Sequence, residues 1–238
     1  MVSYRASAIA LLSSCFAFAS EENRRFSERD ELKNAVEQYI KDVACIYSTD
    51  GNGCDVGQTY GWPMNTWDVS NVTGMWFLFW HRFESNLFRS FNEDISDWNV
   101  SQVTDMGGIF FTARSFNGNL SRWDTSKVTN MSYMFTGATS FNSDLALWDV
   151  SKVTYMVDMF RSATSFNQDL CAWQDKFFTH SYYDNMFGNS GCMFQNNPNE
   201  QEGGPFCASS CNDGATTVTL NNAVTVVAAS LIFVQNML

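Results

Sequence analysis

Two histidines, His81 and His180, are the chain's only imidazoles, and nearly a hundred residues separate them. A hydrolase would need one of them beside a nucleophile or a metal. No H-E-x-x-H, G-x-S-x-G or phosphate-loop pattern accompanies either one. Carboxylates are plentiful, but they recur because a longer pattern recurs, which weakens any acid–base reading. No catalytic residue, cofactor-binding residue or metal ligand is therefore assigned, and the chain is expected not to be an enzyme. A hydrolase using His81 or His180 is kept as a remote alternative.

The cysteines carry a clearer message. Residues 1–19 read as a signal peptide, with Arg5, an apolar run from Ala8 to Phe18, and Ala17-Phe18-Ala19 as the cleavage site. Removing it takes Cys15 and leaves Cys45, Cys54, Cys171, Cys192, Cys207 and Cys211. An even number in a secreted chain implies disulfides. Local pairing, Cys45 with Cys54, Cys171 with Cys192 and Cys207 with Cys211, is the expectation. The rival is a zinc site using the last four. Four N-x-S/T sequons make Asn71, Asn99, Asn119 and Asn130 glycosylation candidates.

These residues hang on a repeat. Trp67-Asp68-Val69-Ser70-Asn71-Val72-Thr73-Gly74-Met75 returns from Trp98 to Met106, from Trp123 to Met131 and from Trp148 to Met156. The last three copies start 25 residues apart, and Trp173 follows Trp148 by the same interval. Such a period is the signature of a solenoid, whose units bury their apolar faces only by stacking. In the copy from Phe116 to Phe135, Leu120, Trp123 and Thr125 approach the alternation of a strand. Met134 and Phe135 suit a helical turn, and Ala138 is small where copies approach. The expected fold is an α/β solenoid of about five coils, each a short parallel strand plus a helical turn, with strands about 4.8 Å apart. The recurrent Trp reads as core. Asn92, Asn117, Asn142 and Asn167 read as a ladder of amides satisfying backbone groups at a bend. Asp94, Asp144 and Asp169, with Asn119 in the fourth copy, stack nearby. A calcium ladder is the sharper alternative, but no Gly-rich ligand loop accompanies it.

The flanks complete the domain plan. Residues 20–59 hold a capping helix and linker. Ser27-Glu28-Arg29-Asp30 predicts the start of a helix over 28–45, with Leu32, Val36, Tyr39, Ile40 and Val43 on one face. Residues 60–196 are the repeat solenoid, and its first unit holds six extra residues rich in aromatics. Phe194 and Asn196 echo the Phe-Asn corner. Residues 197–222 form a Cys-containing linker. Residues 223–238 are an apolar tail that, behind a small polar stretch, reads as a GPI-attachment signal, with a stub anchor or a strand as alternatives.

The run Phe-Asn-x-Asp-Leu-x-x-Trp-Asp-Val-Ser-x-Val-Thr-x-Met-x-x-Met-Phe, from Phe141 to Phe160, resembles the BspA-like leucine-rich-repeat surface proteins, also known by the DUF285 repeat. The resemblance covers about residues 60–196 and implies a leucine-rich-repeat-like architecture. It also implies secretion or display on the cell surface, and adhesion or binding of proteins. It implies no ligand.

The formal charge is −11, from 14 basic against 25 acidic residues, with no basic stripe. That disfavours nucleic acid and docking to anionic lipid. The function expected is binding or adhesion to an extracellular protein or polysaccharide, at the cell surface or outside it, with membrane association through the tail. A structural wall or coat component without a discrete ligand is the alternative. Alternation places Asp97, Asn99, Arg122, Asp124, Leu147 and Asp149 on the outward, binding face.

Overall fold

A computed structural model describes residues 25–42, 45, 47, 50–82, 85–177, 182–198, 204, 206–208 and 211. The signal-peptide reading, the apolar tail, Val43 and His180 lie outside the described residues. The order is α1 (Arg29–Lys41), α2 (Asp55–Tyr60), a 3-10 turn (Met64–Thr66), α3 (Ser85–Arg89), a 3-10 turn (Cys171–Trp173) and α4 (Gln174–Phe177).

The expected α/β solenoid is overturned. Among the described residues there is no strand, and no helix lies in the regular repeats from Phe91 to Leu170. Successive repeats meet through single bridge residues, in the parallel series Gly74, Asp105, Asn130, Tyr155 and Tyr182. Each bridge is flanked by two bonds. At the Asp105–Asn130 bridge, Asn130 N donates to Thr104 O at 3.3 Å, and Met106 N donates to Asn130 O at 2.9 Å.

The Trp segment is not extended because turns bracket it. Asp94, Asn119, Asp144 and Asp169 each accept the N–H two residues on, from Ser96, Ser121, Ala146 and Cys171. Asp68, Asn99, Asp124 and Asp149 do the same with Ser70, Ser101, Ser126 and Ser151. These are Asx turns, which divert the backbone from a sheet ladder.

The expected helical turn is likewise a pair of reverse turns. Met134 N donates to Met131 O, and Ala138 N donates to Phe135 O. The third residues, Tyr133 and Gly137, have φ of 61° and 71°. An i to i+3 bond with a left-handed third residue is the type II turn. The same pair recurs at Gly108 and Thr112, at Asp158 and Ser162, and at Asn185 and Asn189.

Inside this frame lies one continuous core. Phe110, Phe135 and Phe160 stack at 5.4 and 5.5 Å, alongside a second column of Phe91, Phe116, Phe141 and Phe166. The Trp column from Trp67 to Trp173 is buried. Trp123, Trp148 and Trp173 donate Nε1–H to Ile95, Leu120 and Leu145 carbonyls of the preceding repeat. A buried indole thereby meets its hydrogen-bonding need.

The asparagine ladder runs on the exposed edge. Asn92, Asn117 and Asn142 accept from the backbone N–H of Asn117, Asn142 and Asn167 at 2.8–2.9 Å. Asn167 accepts from Met193, so Met193, not Asn196, continues the column, and buried Cys192 follows Phe166. The Phe194–Asn196 echo is out of register. Asn142→Ala removes the side-chain acceptor of the Asn167 N–H and lowers stability by about 1 kcal/mol. Asn142→Asp keeps the acceptor and costs less. Urea unfolding of the two variants checks the order.

α1 covers the open end of the first repeat. Phe26 stacks on Tyr60 at 4.2 Å, and Tyr39 on Trp62 at 5.5 Å. The Trp76, Leu78 and Trp80 carbonyls have no earlier repeat to serve. Arg29 donates to the first, and Lys33 to the other two. The helix is shorter than expected, with Glu28 as N-cap and Asp42 as C-cap. Asp30 does not cap it. Glu31 instead accepts from Ser27 N and Oγ.

Two expected disulfides are also corrected. Cys45 pairs with Cys54, but Cys171 pairs with Cys211 and Cys192 with Cys207. By Cys207 the chain has returned to the repeats, and Cys207 bridges antiparallel to Asp169. Phe206 enters the core there. Nearness in space, set by that return, overrides nearness in sequence. All four distal cysteines are oxidised, which removes the thiolates that the zinc alternative needs.

Candidate functional site

The six residues expected on the outward face divide into two columns. Asp97, Arg122 and Leu147 precede the Trp, and all are exposed, Leu147 at 82%. Asn99, Asp124 and Asp149 follow it, the first two exposed and the third partly so. The Trp between them is anchored inward, so its neighbours point out. The Arg122 guanidinium meets Asp97 at 3.2 Å and Lys176 meets Asp149 at 3.7 Å. Pairs this exposed add little stability. Asn65 donates to Asp97 at 2.8 Å and accepts its N–H at 3.0 Å.

Asp68, Asp124 and Asp149 are held toward the ionised form. Bonds from the Ser126 hydroxyl and backbone keep Asp124 below the ordinary range, and bonds from Ser151 do the same for Asp149. Burial pushes Asp68 up, but Ser70 and Arg25 outweigh it and the net shift is downward. A lowered folded pKa contributes stability that is complete above the unfolded value, near pH 4. That contribution is lost as pH falls through the lower folded values. Asp124→Asn with Asp149→Asn keeps the turn acceptors and flattens this acid-side loss, read by thermal melting between about pH 3 and pH 6.

A second surface went unnoticed in the sequence. On the bridge-and-turn side, Trp76, Tyr133, Tyr155 and Tyr182 are 43, 40, 48 and 61% exposed. Tyr155 stacks on Tyr182, with centroids 5.4 Å apart and 11° between planes. Phe77, Trp80 and Phe111 pack together on the same side at 5.5–6.2 Å, and Arg29 lies 4.7 Å over Trp76. A usable signal was present. Aligning the repeats with one another leaves these positions variable, whereas the inward ones repeat.

The remaining candidates are scattered. Asn71 is exposed. Asn99 and Asn119 are exposed with Oδ1 engaged in Asx turns. Asn130 is partly buried, and its Nδ2 donates to Asp105 at 2.9 Å. His81 stacks on Phe88 and lies 3.9 Å from Glu37. Asp169, Cys171 and Cys211 cluster, but the disulfide occupies both sulfurs. A cavity of about 70 Å³ lies among Tyr39, Ile40, Leu87, Ser90, Phe91 and Glu93. It holds a few waters at most, against the ~300 Å³ of an ordinary ligand pocket.

A family model described as "Mycoplasma protein of unknown function, DUF285" matches residues 57–173 and 81–200, spanning the stacked repeats. The chain belongs to the DUF285 family. No curated protein and no solved structure matches it. The DUF285 match begins within α2 and runs to residue 200, so it leaves out α1 and the returning segment with Phe206, Cys207 and Cys211. Among the described residues of this DUF285 protein, no helix is long and apolar enough to cross a membrane. Its three disulfides are compatible with an extracellular location.

Proposed function

We propose that this DUF285 protein is a secreted or surface-displayed binding protein of the BspA-like kind. Its partner is an extracellular protein or polysaccharide, engaged through its outer columns. The supporting observation is the split between constant and variable positions. Inward residues repeat from copy to copy, while the outward column reads Asp97, Arg122, Leu147 and Ala172. A stack held together by its constant residues is free to vary its exterior, and repeat proteins bind through such surfaces. Disulfides closing both ends suit an oxidising exterior.

The test immobilises the disulfide-intact protein and challenges it with extracellular proteins and polysaccharides. Saturable capture, lost when Asp97, Asp124 and Asp149 become Lys, supports recognition by the Trp-flanking face. Capture lost instead in Tyr155→Ser with Tyr182→Ser moves the site to the bridge side. No capture, with concentration-dependent self-assembly, overturns the reading in favour of a structural component.

A further inference from the structure

We propose that Tyr155 and Tyr182 form a site of oxidative cross-linking, at which two repeats are joined by a dityrosine bond. The two residues are successive members of the bridge column, directly paired across the stack. Tyr182 N donates to Thr154 O, and Met156 N donates to Tyr182 O, both at 2.7 Å. The backbone therefore holds the phenols side by side although 27 positions separate them in sequence (182 − 155). Earlier members of the column are Gly74, Asp105 and Asn130, so among the described residues of this column two rings meet at Tyr155 and Tyr182.

The manner of stacking decides the chemistry. The planes lie 11° from parallel, and each ring covers one face of the other. Both residues remain open to solvent, at 48 and 61% exposure. Coupling needs the edges, because the reactive carbons lie ortho to the hydroxyl.

The oxidant class is a peroxide used by a one-electron peroxidase. Each phenol loses one hydrogen atom, as an electron and a proton. The two phenoxyl radicals join through a new carbon–carbon bond between ortho positions. The two ring hydrogens then move to oxygen as aromaticity returns. The protein has lost two hydrogens, and one hydrogen peroxide has become two waters. Holding the partners together makes the coupling intramolecular and independent of protein concentration.

Four other tyrosines are less well placed. Tyr39 and Tyr60 donate to Glu93 and Glu31, and burial raises the pKa of both phenols. Tyr47 and Tyr133 are exposed, but neither has a ring contact among the described residues.

The test treats the full-length protein with a peroxidase and hydrogen peroxide, followed by intact mass and peptide mapping. The expected product is a monomer lacking two hydrogens, with dityrosine fluorescence and a peptide joining Tyr155 to Tyr182. Its yield is unchanged on dilution. Tyr155→Phe and Tyr182→Phe each keep the stacked ring and lose the product, with circular dichroism unaltered. Dityrosine confined to dimers, mapped to Tyr47 or Tyr133, persisting in either variant, or absent altogether overturns the proposal.

Discussion

Phe135→Ala lowers the unfolding free energy by about 3–5 kcal/mol. The Phe135 ring is embedded as deeply as that of Phe110. It is fully buried and lies 3.9 Å from Phe141, 5.4 Å from Phe110 and 5.5 Å from Phe160, centroid to centroid. The alanine therefore opens a cavity facing three repeats at once. The backbone cannot close it easily, because Phe135 N is fixed to Met159 O at 2.8 Å. Equilibrium urea unfolding reads the loss. A cost below about 1.5 kcal/mol would mean that the neighbouring rings collapse into the gap. Phe135→Leu refills most of the volume and recovers part of the stability.

Replacing both Cys192 and Cys207 by Ala costs about 2–5 kcal/mol. Their bond ties the last member of one phenylalanine column to the returning segment, across a separation of 15 residues. Both sulfurs are buried, and Phe206 beside them is fully enclosed. Without the bond, the return must be held by Phe206 and by the partly exposed Cys171–Cys211 bridge. Denaturation of the variant with its other disulfides intact measures the cost. The same pair of changes at Cys45 and Cys54, which close a separation of 9 residues, provides the comparison. An equal or larger loss there would show that the return is held by packing rather than by its bridge.

Much of the interior was legible because burial and repetition point to the same residues. Phe141, Leu145, Trp148, Val150, Val153, Met156 and Phe160 are all buried, and each has counterparts one period away. The amide ladder was legible because a polar residue repeating without variation must serve the backbone. Secondary structure was not legible, for two physical reasons. Asx turns bracket the Trp segment, so its loose alternation reflects turn geometry rather than a strand. Paired type II turns repeat bonds from i to i+3, and Met131, Met134 and Ala138 fall inward at a spacing that imitates a helix. Left-handed residues such as Tyr133, Asp158 and Ser162 exclude the helix, yet nothing in their side chains announces that conformation. The distal disulfides depended on a chain reversal with no periodic signature. The exposed tyrosines were overlooked because their positions vary between copies, and the reading followed the constant ones.

The Cys171–Cys211 bond also decides how the molecule answers a pull. Drawn apart from its two termini, the chain surrenders length one period at a time. A 25-residue period frees about 85 Å of slack when fully extended. The sulfur link passes tension straight from one cysteine to the other, past a separation of 40 residues. About 140 Å of contour stays out of reach of force until that link is reduced. A tether at the carboxyl end would therefore load the phenylalanine columns first and leave the segment between Cys171 and Cys211 unloaded.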